Sequence, residues 1–169
     1  SVTTLLTQLI TRNIYLREHG DSTTDLFKKA YFYVNDEPTG ETYADVRNND
    51  LIFTNAKTAL APKLASYPEL QKSLLSIKNI VTAPYNESLV GSDTKGGVQT
   101  WCPQFSEFNS SALRQTYASR QVRANTQRQY GENVWWYGCI TPASPFPSYH
   151  TDANLINSRL IPWMQYDYG

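Results

Sequence analysis

Ala30-Tyr31-Phe32-Tyr33-Val34-Asn35-Asp36-Glu37-Pro38 reads as a short aromatic and β-branched strand ending in two adjacent carboxylates. Pro38 has no backbone N–H to offer a neighbouring strand, so the ladder stops there. Side chains alternate between the faces of a regular strand. Two neighbouring acids therefore serve one site only where the strand ends and the backbone turns. In parallel α/β proteins that strand edge is where ligands bind. The bland counterpart is a solvated Asp-Glu pair in a βα loop, since both residue types are mostly exposed.

Working outward, apolar spacing predicts helices alternating with strands. Leu5, Leu6, Leu9, Ile10 and Leu16 follow helical spacing, with Thr4 as cap and Gly20 as stop. A second helix from near Thr42 carries Val46, Leu51, Ala56 and Leu60 and ends at Pro62. A short third helix runs through Leu74 and Leu75. Further strands are predicted at Asn79–Ala83, Val98–Cys102 and Asn133–Ile140, the first two closed by Pro84 and Pro103. Ser110–Tyr130 reads as a polar helix stopped by Gly131, and Pro142, Pro145 and Pro147 mark a loop. The last helix runs from about Asp152 to Tyr168, with Leu160 and Trp163 on its core face.

Such alternation argues for parallel βαβ units with right-handed crossovers. Four strands are too few to close a barrel, and a complete (β/α)8 barrel takes about 250 residues. The expectation is an α/β fold, part of a (β/α)8 TIM barrel and roughly its second half. On this expectation residues 1–169 would be one segment of that catalytic domain, truncated at both ends. A self-contained open sheet is the alternative.

Composition narrows the function classes. A net charge of +0 argues against a nucleic-acid partner. No run approaches the roughly 18 to 20 apolar residues that span a bilayer, so no membrane insertion is expected. Cys102 and Cys139 lack Cys-x-x-Cys spacing, which points to buried free thiols rather than a zinc site or a disulfide scaffold. Neither a metal nor a cofactor is expected. Aromatic residues make up 13% of the chain and cluster near predicted strand ends, where rings can serve as sugar platforms as well as core.

Paired carboxylates amid aromatics suggest glycoside hydrolysis, in which one acid protonates the leaving oxygen and a second group stabilises the cationic sugar. An ordinary retaining enzyme carries its nucleophile on another strand, and the strand Trp135–Ile140 has no carboxylate. Glu132 lies at the opposite end of that strand, while Glu87 and Glu107 follow the second and third strands as possible partners. Adjacent acids suit substrate-assisted hydrolysis, where the sugar's own 2-acetamido oxygen is the nucleophile. One acid grips the acetamido N–H and the other donates the proton, and like-charge proximity favours protonation of one of them.

Asn35-Asp36-Glu37-Pro38 at a strand end resembles the catalytic Asp-Glu-Pro of glycoside hydrolase family 123. The stretch Glu132–Cys139, with Trp135-Trp136-Tyr137, the prolines after it, and Arg159-Leu160-Ile161-Pro162-Trp163 are similar to the C-terminal part of that family's barrel. That part is catalogued as domain of unknown function 4091. The resemblance spans about Tyr31 to Gly169, with no matched motif between Glu41 and Asn109. It implies a (β/α)8 glycosidase acting on a β-linked N-acetylhexosamine, N-acetylgalactosamine favoured. Asp36 would orient the acetamido group and Glu37 would be the general acid/base.

Around these acids, Trp101, Trp136 and Tyr137 are candidates to stack on the sugar or close the acetamido pocket, and Tyr137 has a hydroxyl to donate. Tyr85 and Asn86 are candidate hydroxyl-binding groups, and Tyr149 is a further substrate-binding candidate. His150 reads as a solvated loop residue. Competing readings are a glycosidase on a non-acetamido sugar, using Glu37 with Glu87 or Glu107, and a non-catalytic carbohydrate-binding domain. A structural partner domain would leave Asp36 and Glu37 merely solvated.

Overall fold

Helices and short strands alternate along the chain in the computed structural model. Their order is α1 (Val2–Glu18), β1 (Phe32–Asp36), α2 (Tyr43–Leu60), α3 (Pro68–Ser76), β2 (Asn79–Thr82), β3 (Thr100–Trp101), β4 (Asn133–Val134) and α4 (Leu155–Tyr168). The structure describes residues 1–91, 95–112, 114–116, 132–139, 144, 146–151 and 153–168. Most of the expected Ser110–Tyr130 helix lies outside them, as do Gly131, Ile140, Pro142, Pro145 and Asp152, though residues 111, 112 and 114–116 are helical. The class is α/β with a parallel sheet in the order β1-β2-β3-β4. In β3 and β4, Thr100 stands opposite Asn133 and Trp101 opposite Val134. The chain forms two compact units, Ser1–Val81 with Ser88–Gln99, and Thr82–Glu87 with Thr100–Gly169.

In the first unit, α1 is capped by Ser1 rather than Thr4: the Thr4 N–H donates to Ser1 Oγ at 3.3 Å. Gly20, at φ +86°, supplies the left-handed residue that stops the chain from continuing as helix. Leu6 and Ile10 are buried with Phe27, Phe53, Leu70 and Leu74 in the core. The inner stripe of α2 differs from the predicted one. Val46, Asp50, Phe53, Lys57 and Leu60 are buried, whereas Leu51 is exposed.

The buried charges explain why the third strand is shorter than expected. Asn79 is fully buried, and its Nδ2 donates to Asp50 Oδ1 at 2.6 Å and to the Gly97 carbonyl at 2.7 Å. Asp50 Oδ2 accepts the Gly97 N–H at 3.0 Å. The Gln99 N–H donates to Asn79 Oδ1 and the Val98 N–H to the Leu89 carbonyl. Those donors are taken before any strand can use them, so the ladder of β3 begins only at Thr100. Approach this close demands glycine. A Cβ on Gly97 would meet the Gly91 backbone, and one on Gly96 would meet the Arg47 carbonyl. Gly97→Ala is expected to destabilise the fold by about 1–3 kcal/mol, the usual range for overpacking. A urea denaturation midpoint lowered at constant slope checks this; an unchanged midpoint would show that the loop has room to spare.

In the second unit, β3 and β4 continue as a looser parallel pair past their two-residue ladder. The Trp135 N–H donates to the Trp101 carbonyl at 2.7 Å, and the Tyr137 N–H to that of Pro103 at 3.1 Å. Pro103 has no N–H to return a bond, so among the described residues the expected strand reduces to Asn133–Val134 plus a bridge between Gln104 and Tyr137. On α4, Ile161 is buried, while Leu160 and Trp163 are 43% and 74% exposed. This corrects the expected core face. At about 100° per residue, Trp163 lies roughly opposite Ile161 on the helix. Neither cysteine forms a disulfide, and Cys102 is buried, but Cys139 is exposed, contrary to expectation. No helix of the described residues is long and apolar enough to cross a membrane.

Candidate active site

β1 carries the paired acids at its C-terminal end within the first unit. Its last residue is Asp36, and Glu37 follows with φ +41°. A left-handed φ at a residue with a Cβ costs on the order of 1–3 kcal/mol and concentrates at functional positions. Here it turns the chain between strand and Pro38, so the two carboxylates escape strict strand alternation. Both side chains are exposed.

Neighbouring side chains hold this corner. The Tyr33 hydroxyl donates to Asp36 Oδ1 at 2.7 Å, and Asn49 Nδ2 on α2 donates to Asn35 Oδ1 at 3.3 Å. Beyond Pro38, the Thr39 N–H donates to Thr42 Oγ1 at 3.0 Å and the Thr42 hydroxyl donates back to the Thr39 carbonyl at 3.1 Å. That reciprocal pair turns the chain into α2, leaving the acids on a short, braced corner.

The aromatic candidates belong to the second unit. Trp136, Tyr137 and Tyr149 line one cleft of about 500 Å³ with Phe105, Trp135 and His150. Trp136 packs edge-on against Phe105, with centroids 5.6 Å apart. Tyr137 is half-buried, and Tyr149 is 70% exposed. His150, expected to be merely solvated, reaches back so that its Nε2 lies 2.7 Å from the Cys139 carbonyl oxygen. A ring nitrogen facing a carbonyl at that distance must carry the proton. Ser148 and Gln165 add polar groups to the lining. Nothing local in the sequence marks Trp135, His150 or Gln165 as neighbours, because a loop and a helix bring them together.

Trp101 does not join that cleft. It is fully buried, its Nε1–H donates to Glu132 Oε2 at 2.9 Å, and the ring of Tyr85 meets it edge-on at 5.2 Å. A ring with no exposed face cannot stack on a sugar, so Trp101 is a core residue and not the stacking platform expected from its place near a strand end. Glu132 is engaged in that structural contact. Tyr85 donates its hydroxyl to Glu87 Oε1, and Asn86 is half-buried beside them. Glu107 is half-buried in the short 3-10 helix Phe105–Asn109. Among the described residues, no group of three or more His, Cys, Asp and Glu side chains could hold a metal ion.

No protein-family model, curated protein sequence or solved structure matches this chain.

Proposed function

We propose that the protein is a glycoside hydrolase that removes a terminal β-linked N-acetylhexosamine, N-acetylgalactosamine favoured, by the substrate-assisted retaining route. The observation that carries this reading is the braced corner where β1 presents Asp36 and a left-handed Glu37 in succession. Metal-free hydrolysis by two carboxyl groups needs no other protein nucleophile when the substrate supplies one.

In this mechanism the acetamido carbonyl oxygen attacks C1 as the bond from C1 to the aglycone oxygen breaks. Glu37 delivers its proton to that departing oxygen. Asp36 accepts a hydrogen bond from the acetamido N–H and shares the positive charge of the oxazolinium ion. Glu37, now ionised, takes a proton from water as the water opens the ring at C1. Two inversions at C1 leave the product with the β configuration it began with.

Asp36→Asn tests the reading. It keeps the side chain's size but removes the charge, and turnover is expected to fall about 10²- to 10³-fold, the usual worth of a charge-stabilising group. A neutral thiazoline analogue of the cyclised sugar should inhibit the parent protein well and the variant poorly. The measurement is cleavage of a nitrophenyl β-N-acetylgalactosaminide beside its 2-hydroxy counterpart. If the 2-hydroxy sugar is cleaved as fast, or if a glycosyl ester is trapped on Glu87 or Glu107, the substrate-assisted mechanism is wrong.

A further inference from the structure

We propose that Tyr33 is a positioning residue that sets the carboxylate plane of Asp36, an inference that rests on the glycosidase reading. Tyr33 and Asp36 are three residues apart, and on a continuing strand their side chains would point to opposite faces. They nevertheless meet at the last residue of β1, with the Tyr33 hydroxyl 2.7 Å from Asp36 Oδ1.

Such a contact has a specific use. The terminal torsion of an aspartate is broad and roughly two-fold, so packing alone does little to orient one that stands in solvent. Asp36 is exposed and Tyr33 is 47% exposed, so the contact between them stands at the surface. A phenol is a donor throughout the neutral range and bonds most strongly to an ionised acceptor. Asn35, between the two, accepts from Asn49 and thereby ties the same corner to α2. The acetamido N–H of a substrate must then meet a carboxylate whose direction is already set, as near-attack geometry requires.

The test uses the intact protein with Tyr33→Phe, which deletes only the hydroxyl, and Tyr31→Phe as the control. Tyr31 is likewise exposed, at 56%, and precedes the first residue of β1, at the end of the strand away from Asp36. Tyr33→Phe is expected to lower kcat on the N-acetylhexosaminide about 10- to 100-fold, the scale of a small misplacement in a reacting site. Tyr31→Phe should leave it unchanged. In an Asp36→Asn background the Tyr33 substitution should have no further effect, since its role passes through that carboxylate. Full additivity of the two losses would overturn the proposal. A second readout does not depend on turnover: NMR titration of the Asp36 side-chain carboxyl carbon. Loss of a hydrogen bond to the charged form should move its midpoint to higher pH in Tyr33→Phe. Glu37 is present in both proteins, so its influence is common to the two titrations. An unmoved midpoint sinks the positioning role whether or not the protein cleaves glycosides. A moved midpoint in a protein that cleaves none upholds the contact and removes the glycosidase reading instead.

Discussion

Glu37→Gln in the intact protein is expected to lower turnover of an N-acetylhexosaminide with a poor leaving group by about 10²- to 10⁴-fold, the usual contribution of general acid/base catalysis. The amide is nearly isosteric with the acid but has no proton to give the departing oxygen. Because the side chain is exposed, the substitution disturbs no core contact, and the folded state should persist. The loss should shrink for an aglycone that leaves readily as its anion, since that oxygen needs little protonation. Formation of the oxazoline would then be fast, and its hydrolysis, which needs the same residue as base, would limit turnover. Steady-state and burst kinetics across a series of aglycones read this directly. Equal losses for activated and unactivated aglycones would show that Glu37 is not the acid.

The second large effect concerns stability. Asp50→Ala is expected to destabilise the first unit by about 2–6 kcal/mol, since two buried donors lose their acceptor at about 1–3 kcal/mol each. It removes the acceptor for both the Gly97 N–H and Asn79 Nδ2. It also leaves Lys57 buried without the nearby carboxylate. Burial lowers the Lys57 pKa from 10.5 to about 8, and the Asp50 charge acts in the opposite direction. Burial raises the Asp50 pKa, against hydrogen bonds from Gly97 and Asn79. A calorimetric or denaturant series on the variant checks the loss. A change below about 1 kcal/mol, the worth of one ordinary hydrogen bond, would show that the carboxylate does not hold the loop to α2.

The same pair dictates a pH dependence. Since the folded pKa of Lys57 is lowered, the unfolded chain binds more protons between about pH 8 and 10.5. The Lys57 contribution to stability is therefore present above 10.5 and is lost as pH falls towards 8. Asp50, raised, has its contribution below its ordinary value of 3.8 and loses it as pH rises through the folded pKa. Lys57→Met, which keeps the length of the side chain without its charge, should remove the alkaline part of the profile. The comparison is the difference in denaturation midpoint between the two proteins, which should grow in favour of the parent from pH 8 to 10.5. A constant difference would show that Lys57 does not titrate there.

What could be read from the sequence follows the range of the physics involved. The run from Ala30 to Pro38 carries its own instructions: aromatic and β-branched residues favour extended backbone, and Pro38 ends the ladder. Helices α1, α2 and α3 were legible for the same local reason, as was the order of strands and helices. The sequence by itself therefore determined the α/β class and put two acids at the end of a strand. Tertiary structure decided what surrounds them. Asp50 and Lys57 are seven residues apart and share the inner face of α2, a position that a reading by hydrophobicity assigns to solvent. They are tolerated there because Asn79, Gly97 and the carbonyls of Leu75 and Ile77 supply partners from elsewhere in the chain. Trp101 looked like a platform until Glu132 and Tyr85 covered it. The face of α4 that packs inward, at Ile161 rather than Leu160 and Trp163, depends on what lies against the helix. Periodicity along a chain says which residues share a face; only contacts between distant segments decide whether that face is covered, and which backbone donors are left for a strand to use.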